Sequence, residues 1–323
     1  MKAIQVREFG DPSKLTVGEV QDRAPTATEV KVRVHGVGVG YFDGLLIKGE
    51  YQIKPSLPFT PGSSLAGVVE EVGSKVSHVR PGDHVVGFAL LGGLAEHACL
   101  PGNFVFKLPT SISLDDASNF FIAYATAVLA LKELARLRPA ETVLVLGASG
   151  STGSTAIEVA RAMGAKVIAC ASTEEKRQHC LDLGANVAVD YTQPDWRKEV
   201  KLSTGGKGAD VVFDPIGGSF AEPALRTMAP YGRYLVVGFV AGIASVPLNL
   251  PLVKRCSIIG VNWGGEAFAN PAVVQPVIEQ IVSWADEGAL KSTPDAVFPM
   301  DRAGEAFAAF FGRASTGKIV IRC

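Results

Sequence analysis

The stretch Val143–Gly164, VLVLGASGSTGSTAIEVARAMG, decides the fold. A short apolar strand breaks at Gly147, Gly150 and Gly153, three glycines at a spacing of three, and then becomes a helix. In a βαβ unit such glycines permit a tight turn, close approach of the backbone to a pyrophosphate, and close packing of helix on strand. The helix start adds N–H donors and the positive end of a dipole. The pattern is a GxxGxxG variant of the dinucleotide fingerprint. Its place after a strand and before a helix supplies the context that the pattern needs. Ser149, Ser151 and Thr152 lie in the same turn and join the glycines as expected cofactor contacts.

Outward from this turn, strands alternate with helices: TVLVL, AKVIACA, NVAVDY, DVVFD, RYLVV and SIIGV. The segments between the first five have helical length, and Gly164, Gly184 and Gly232 sit where C-caps or turns belong. This rhythm predicts an α/β fold with a doubly wound parallel sheet. Upstream, the short β-rich runs KAIQV, EVKVRV, LAGVVEEV, DHVVGF and EHACL are separated in part by Pro-Gly turns at Pro61, Pro81 and Pro101. They predict a β barrel or sandwich, with no long helix before Asp115. SLDDASNFFIAYATAVLALKEL begins with a cap, Ser113 with Asp116, and continues as a largely apolar helix. Two further helices, PAVVQPVIEQIVSWADEG and DRAGEAFAAFFG, precede a last strand, GKIVIR.

A chain of 323 residues suggests two domains. With 31 basic and 32 acidic residues the net charge is -1, which argues against a dedicated nucleic-acid binder. The five cysteines form no CxxC pair and are odd in number, so neither a disulfide framework nor a thiolate metal site is expected. Reduced thiols in a cytoplasm fit this pattern, and Cys170 is expected to be an inert buried thiol. The opening MKAIQVREFG lacks the apolar run of a secretion signal and reads as the start of the fold. Tyr234–Val253 is a 20-residue run without charge, but Gly238, Gly242, Pro247, Asn249 and Pro251 make it a buried strand plus a loop. No membrane association is expected.

The end of the second strand addresses the choice of nucleotide. An NAD site usually has Asp or Glu there, bonded to the ribose 2′-hydroxyl. This chain has CASTEEKR, in which Cys170 and Ala171 offer no carboxylate. Ser172 with Glu175 forms a capping box, which gives the nearby acids a structural task. Ser172, Lys176 and Arg177 are then placed to meet a 2′-phosphate, through charge-assisted bonds of roughly 1.5–3 kcal/mol each. The alternative for Lys176 and Arg177 is a solvated helix face. NADPH is the favoured cofactor.

The order of parts, with GASGSTG, STEEK, VVFDPIGG, LVVGF, GVNWG and GKIVI, resembles the medium-chain dehydrogenase/reductase superfamily. More narrowly it resembles the zinc-free quinone oxidoreductase branch, the zeta-crystallin relatives. The resemblance covers essentially the whole chain. It implies a GroES-like catalytic domain over residues 1–122 and 264–323 and a Rossmann NADPH-binding domain over 123–263. It also implies that Tyr191 lies near the 2′-phosphate with Ser172 and Lys176. Gly238, Phe239, Asn262, Trp263 and Gly264 match segments beside the nicotinamide. The zinc ligands of the alcohol-dehydrogenase branch are missing from GVGVGYFDG and TPGSSLAG, so no metal is expected. Two departures stand out: Gly40 replaces the branch's asparagine, and Leu45 replaces a tyrosine, whereas Tyr51 matches the second tyrosine.

Chemistry of this kind draws the hydride from the cofactor and asks the protein to stabilise negative charge developing on an oxygen. Quinones and α,β-unsaturated carbonyls are suitable small-molecule acceptors. Tyr51 is the first candidate for the hydroxyl donor and Tyr41 the second, each with an aromatic-wall or core role as the alternative. Thr126 is placed near nicotinamide or acceptor, or in packing. Asp43 is read as fixing a turn, and His35, His84 and His97 as structural or surface groups. Competing readings are a reductase of enones or enoyl thioesters and a non-catalytic NADPH-binding structural or regulatory protein. A CoA-type substrate would call on Lys48, Lys54 or Lys254. The resemblance further implies a homodimer, with SIIGVNWG as the pairing edge.

Overall fold

A computed structural model describes residues 1–312 and 316–323. The chain begins with β1 (Lys2–Ile4), β2 (Val17–Glu19), β3 (Glu29–Gly38), α1 (Tyr41–Lys48), β4 (Ser64–Val72), β5 (His84–Phe88), β6 (His97–Pro101), β7 (Val105–Lys107), α2 (Leu114–Ala117) and α3 (Ala125–Val128). It then alternates β8 (Thr142–Val145), α4 (Ser151–Ala162), β9 (Lys166–Ala171), α5 (Glu174–Asp182), β10 (Val187–Asp190), α6 (Trp196–Ser203), β11 (Ala209–Asp214), α7 (Ala221–Thr227), β12 (Met228–Val236), α8 (Asn249–Lys254) and β13 (Ser257–Gly260). The last elements are α9 (Trp263–Ala269), α10 (Val274–Asp286), β14 (Ala296–Pro299), α11 (Ala303–Phe311) and β15 (Ile319–Arg322). Two units result. The first holds residues 1–123, 267–288 and 292–323, and the second holds residues 124–266 and 289–291.

In the first unit the sheet runs β14-β15-β3-β4-β5-β7, with β6 also paired to β3. The C-terminal strand is therefore interior: β15 is antiparallel to β3, with Val320 opposite Gly38, and parallel to β14. Inward residues such as Ile4, Val32, Leu65, Leu100, Phe307 and Ile321 form one apolar core. Asp115 fastens the closure by accepting bonds from Arg322 and pairing with His35. A side chain at Gly44 would collide with the Phe311 ring, so α1 and α11 lie together only because residue 44 is glycine.

In the second unit six parallel strands run β10-β9-β8-β11-β12-β13. Right-handed crossovers place α4 and α5 on one face and α6 and α7 on the other. With both faces covered, the strands read as near-continuous apolar runs, and Leu144, Ile168, Val212 and Leu225 are buried together. The expected doubly wound sheet is present.

Several local expectations change. Helix α1 lies well before Asp115. Gly40 at its N-cap carries no capping oxygen, so the usual sequence signal is missing, whereas Gly49 ends the helix at φ +69° by donating to the Leu45 and Leu46 carbonyls. Ser113 caps α2 as expected, but the following helix is broken, with π-type turns over Phe120–Tyr124 and Leu129–Leu134 on either side of α3. Gly232 falls inside β12. The Tyr234–Val253 run supplies the end of a buried strand, but its loop is exposed, with Ile243 at 86% and Leu248 at 80%, and it ends in the short helix α8. Among the described residues no helix is long and apolar enough to cross a membrane.

Glu29 supports a stability test. Its carboxylate takes two bonds from Arg23, at 2.7 and 2.8 Å, and the Thr26 amide, and the Arg23 bond is the main reason its pKa falls to about 2. A carboxyl whose folded pKa is lowered stabilises the fold above its unfolded value and loses that contribution as pH falls. Glu29→Gln is expected to cost about 1–3 kcal/mol in urea unfolding at pH 7. The gap between variant and parent should close between pH 4.5 and pH 2. A gap that does not change with pH would mean that the pair carries none of it.

Candidate cofactor-binding site

The three glycines of the turn act differently. Gly147 has φ +54°, and a Cβ there would strike Ile216. Gly153 lies against the Gly147 carbonyl and within 2.8 Å of Ala148 Cα for any added Cβ, so α4 reaches the end of β8 only without a side chain. Gly150 is the N-cap of α4 and has no side chain to close the first-turn N–H groups. An added Cβ there would meet only the Gly147 carbonyl, at 3.4 Å. The first turn carries no acid, and Ser151 and Thr152 turn their carbonyls to the Ser154 and Thr155 hydroxyls. Ser149 is buried beside them. This helix end has no side-chain cap and no acid in its first turn, as an anion site requires.

At the end of β9 the cap lies one residue later than expected. Thr173, extended at φ -123° and ψ 158°, is the N-cap of α5, and its Oγ1 accepts the Lys176 amide at 3.3 Å. The Ser172 capping box is therefore absent, and the Ser172 hydroxyl takes no part in the cap. Two adjacent hydroxyl residues made both registers plausible in sequence; the backbone selects the second. Lys176 stands half-buried in the first turn. Arg177 is already engaged with Glu174 at 2.6 Å and Asp190 at 3.0 Å, which ties α5 to the end of β10. Pairing of Asp190 with Ala171 brings the residues that follow, Tyr191 and Ser172, to neighbouring strand ends. The Tyr191 ring rests on Phe220 at 4.7 Å. Cys170 is fully buried, and burial pushes its thiol up, so it is inert at neutral pH.

The third wall rests on a residue that the motif reading passed over. Asp214, buried at the end of β11, accepts the amides of Ile216 and Gly217 on Oδ1, both at 2.8 Å, and the Tyr234 hydroxyl on Oδ2 at 2.5 Å. Its carbonyl accepts the amides of Val237 and Gly238. The loops after β11 and β12 are joined further by Gly218 to Gly242 and Ala241 to Ile216 bonds. A Cβ at Gly238 would come within 2.8 Å of the Pro215 carbonyl, so glycine is required where the loops touch. Burial, reinforced by Asp214, pushes the Tyr234 phenol up and keeps it a donor. An aspartate at a strand end before Pro-Ile-Gly-Gly was the available signal. Its partner lies 20 residues away and left none. Phe239, next in the loop, is half exposed. Asn262 closes the first turn of α9 on the Gly265 amide, Trp263 is buried, and Gly264 faces open space.

The remaining candidates sit as follows. Thr126 is half-buried in α3, between the two π-type turns. In the first unit, Tyr41 opens α1 with its ring 5.4 Å from Phe311, and Tyr51 stands edge-on to Phe42 at 4.8 Å. Lys48 lies over the Phe311 ring, and Lys54 is exposed. Lys254 donates to the Met228 carbonyl at 2.7 Å, where β12 starts. That is the end of the parallel sheet opposite the glycine turn. Among the described residues no group of three or more His, Cys, Asp or Glu could hold a metal ion.

Comparison with known proteins agrees with this geometry. Residues 26–110 match the alcohol dehydrogenase GroES-like domain, and residues 151–283 match the zinc-binding dehydrogenase domain. The chain is 38% identical to the quinone oxidoreductase-like protein 2 of Rattus norvegicus, over 95% of this chain and 88% of the relative. It is 32% identical to the quinone oxidoreductase of Mus musculus, over 99% and 97%. The crystal structure of Escherichia coli quinone oxidoreductase complexed with NADPH superposes with a TM-score of 0.91 at 27% identity, covering 100% of both chains.

Asp214→Ala should leave three donors unpaired. The expected cost is about 2–4 kcal/mol of stability, with at least a tenfold weaker dinucleotide affinity, read by chemical unfolding and by nucleotide titration. Unchanged affinity in a folded variant would remove the paired loops from the cofactor site.

Proposed function

Because the chain belongs to the quinone oxidoreductase-like branch of the medium-chain dehydrogenase/reductase family, we propose that it is an NADPH-dependent, zinc-independent reductase that delivers a hydride to a quinone. The observation that carries this reading is the nucleotide end of the site. A glycine turn with no acid in its first helical turn is followed by a strand end that has a free serine hydroxyl, a lysine, and no carboxylate for a ribose 2′-hydroxyl. When bound, the nicotinamide supplies the hydride.

The chain's own groups bind, orient and polarise. The amides at the start of α4, with Ser149, Ser151 and Thr152, hold the pyrophosphate between the glycines. Ser172, Lys176 and Tyr191 hold the 2′-phosphate; Arg177, already paired with two acids, orders the helix that carries Lys176. Gly238, Phe239 and the Asn262–Gly264 segment border the nicotinamide end. Tyr51 donates its hydroxyl to the acceptor oxygen as negative charge develops; Tyr41 and Thr126 are the other candidates for a contact with the acceptor. A quinone is preferred over an enone because both curated relatives are named for quinones.

We also propose a cytoplasmic homodimer. Strand β13 ends the six-stranded sheet with Ile258 exposed, and Leu248, Leu252 and Val253 lie bare on neighbouring segments. An unpaired apolar edge of this kind is stable in water when a second copy covers it. A double Leu252→Asp, Ile258→Lys variant should sediment as a monomer. Parent protein that is itself monomeric would refute the dimer.

The function is tested by following nicotinamide absorbance with an ortho-quinone and a 2-alkenal as parallel acceptors, and NADH as a control donor. Quinone-dependent loss of NADPH is expected, with kcat/KM for NADH at least tenfold lower. Ser172→Ala with Lys176→Ala should erase most of that preference. Tyr51→Phe should lower kcat by roughly 10- to 1000-fold. Turnover with the alkenal alone would assign the enone reading, and NADPH binding without turnover would assign a non-catalytic role.

A further inference from the structure

Helices α6 and α7 of the second unit border a groove that holds two cavities, of about 690 and 230 Å³. The cavities adjoin, because Pro194, Arg197 and Arg226 line both. The larger lies within the usual size of a small-molecule pocket, roughly 300–1,000 Å³. None of the residues assigned above to the cofactor lines either cavity.

The two ends of the groove differ in chemistry. The small cavity adds Lys198 and Lys201 to the shared guanidinium groups, against one acid, Asp195. The large cavity adds Pro223 and two hydroxyl residues, Ser219 and Ser245, with Glu222 as its acid. Both acids are already engaged. Asp195 pairs with Lys198 at 2.9 Å, and Glu222 accepts from Arg226 Nε and Nη2 at 3.0 and 2.6 Å. Arg226 Nη1 is left over, and among the described residues Arg197 and Lys201 have no ion-pair partner.

Arg197 and Lys201 stand four residues apart on one face of α6, where like charges weaken a helix. Lys201 also acts on Lys254, whose ammonium is held below its ordinary range by burial first and by Lys201 second. A chain of net charge -1 thus gathers unpaired cations at one end of one groove. An anion placed among them relieves their mutual repulsion. We infer that the groove between α6 and α7 binds a phosphate ester of about nucleotide size, its phosphate on Arg197, Lys201 and Arg226 in the small cavity and its organic body along Pro194 and Pro223 in the large one. A guanidinium presents paired N–H groups that match phosphate oxygens, and a lysine adds a point charge. The Ser219 and Ser245 hydroxyls suit a polar body such as a sugar. The site stands independently of which acceptor the protein reduces.

The test is calorimetric titration of the full-length protein with ADP and with inorganic pyrophosphate, each with and without saturating NADPH. ADP is expected to bind in both conditions, more tightly than pyrophosphate, and more weakly as salt rises. Arg197→Ala with Lys201→Ala, both exposed positions on α6, should weaken ADP by about tenfold or more and leave NADPH affinity unchanged. Ser172→Ala with Lys176→Ala should leave ADP binding as it is in the parent. No binding of either probe at millimolar concentration overturns the site, as does ADP affinity that survives loss of Arg197 and Lys201. ADP binding that NADPH abolishes puts the probe in the cofactor site and overturns it equally. Equal affinities for the two probes overturn the assignment of an organic ligand. A parent that binds no NADPH sinks the reductase reading alone, since dependence on Arg197 and Lys201 still decides this one.

Discussion

No side chain fits between the start of α4 and the end of β8, and the rest of the cofactor end depends on that exclusion. With Gly153 against the Gly147 carbonyl, the helix enters over the end of the central strand and its first amides face the space beyond the sheet. Any Cβ there forces the helix away from the strand and takes those donors with it. The central place of β8 in the six-stranded order then brings the ends of β9, β10, β11 and β12 into line as successive walls. One steric limit of a few atoms thereby sets the direction of the anion site.

Buried carboxylates organise the loops of the second unit. Asp214 takes two amides and a phenol, and Glu158 a phenol and an amide. A carboxylate that accepts several short, directed bonds fixes the geometry of its donors more tightly than a flexible lysine would. The exposed ion pairs, such as Arg302 with Glu305, contribute little by comparison, because solvent screens them. Polar burial and glycine placement therefore work together: glycines let the backbones touch, and acids decide which amides face one another.

Electrostatics at the end of β9 follows the same logic. The acids that might have taken a ribose hydroxyl are displaced into α5, where Glu174 neutralises Arg177. Arg177 in turn holds Asp190 at the end of the neighbouring strand. Ser172, Lys176 and Tyr191 stand near the same two strand ends.

By itself, the sequence determined the alternation of strands and helices, the glycine turn, the missing carboxylate after β9 and the absence of the zinc-branch ligand pattern, because each is a local pattern read along one dimension. Helix α1 escaped because Gly40 gives no capping signal, and the true cap of α5 escaped because Ser172 and Thr173 offer the same hydroxyl one residue apart. Only the tertiary structure decided the closure of β15 on β3, the Asp214–Tyr234 bond, the far placement of Lys254, and the burial of Asp43. Each of these joins residues distant in the chain, and the partner of a buried polar group is fixed by which backbones pack together, which no local spacing records.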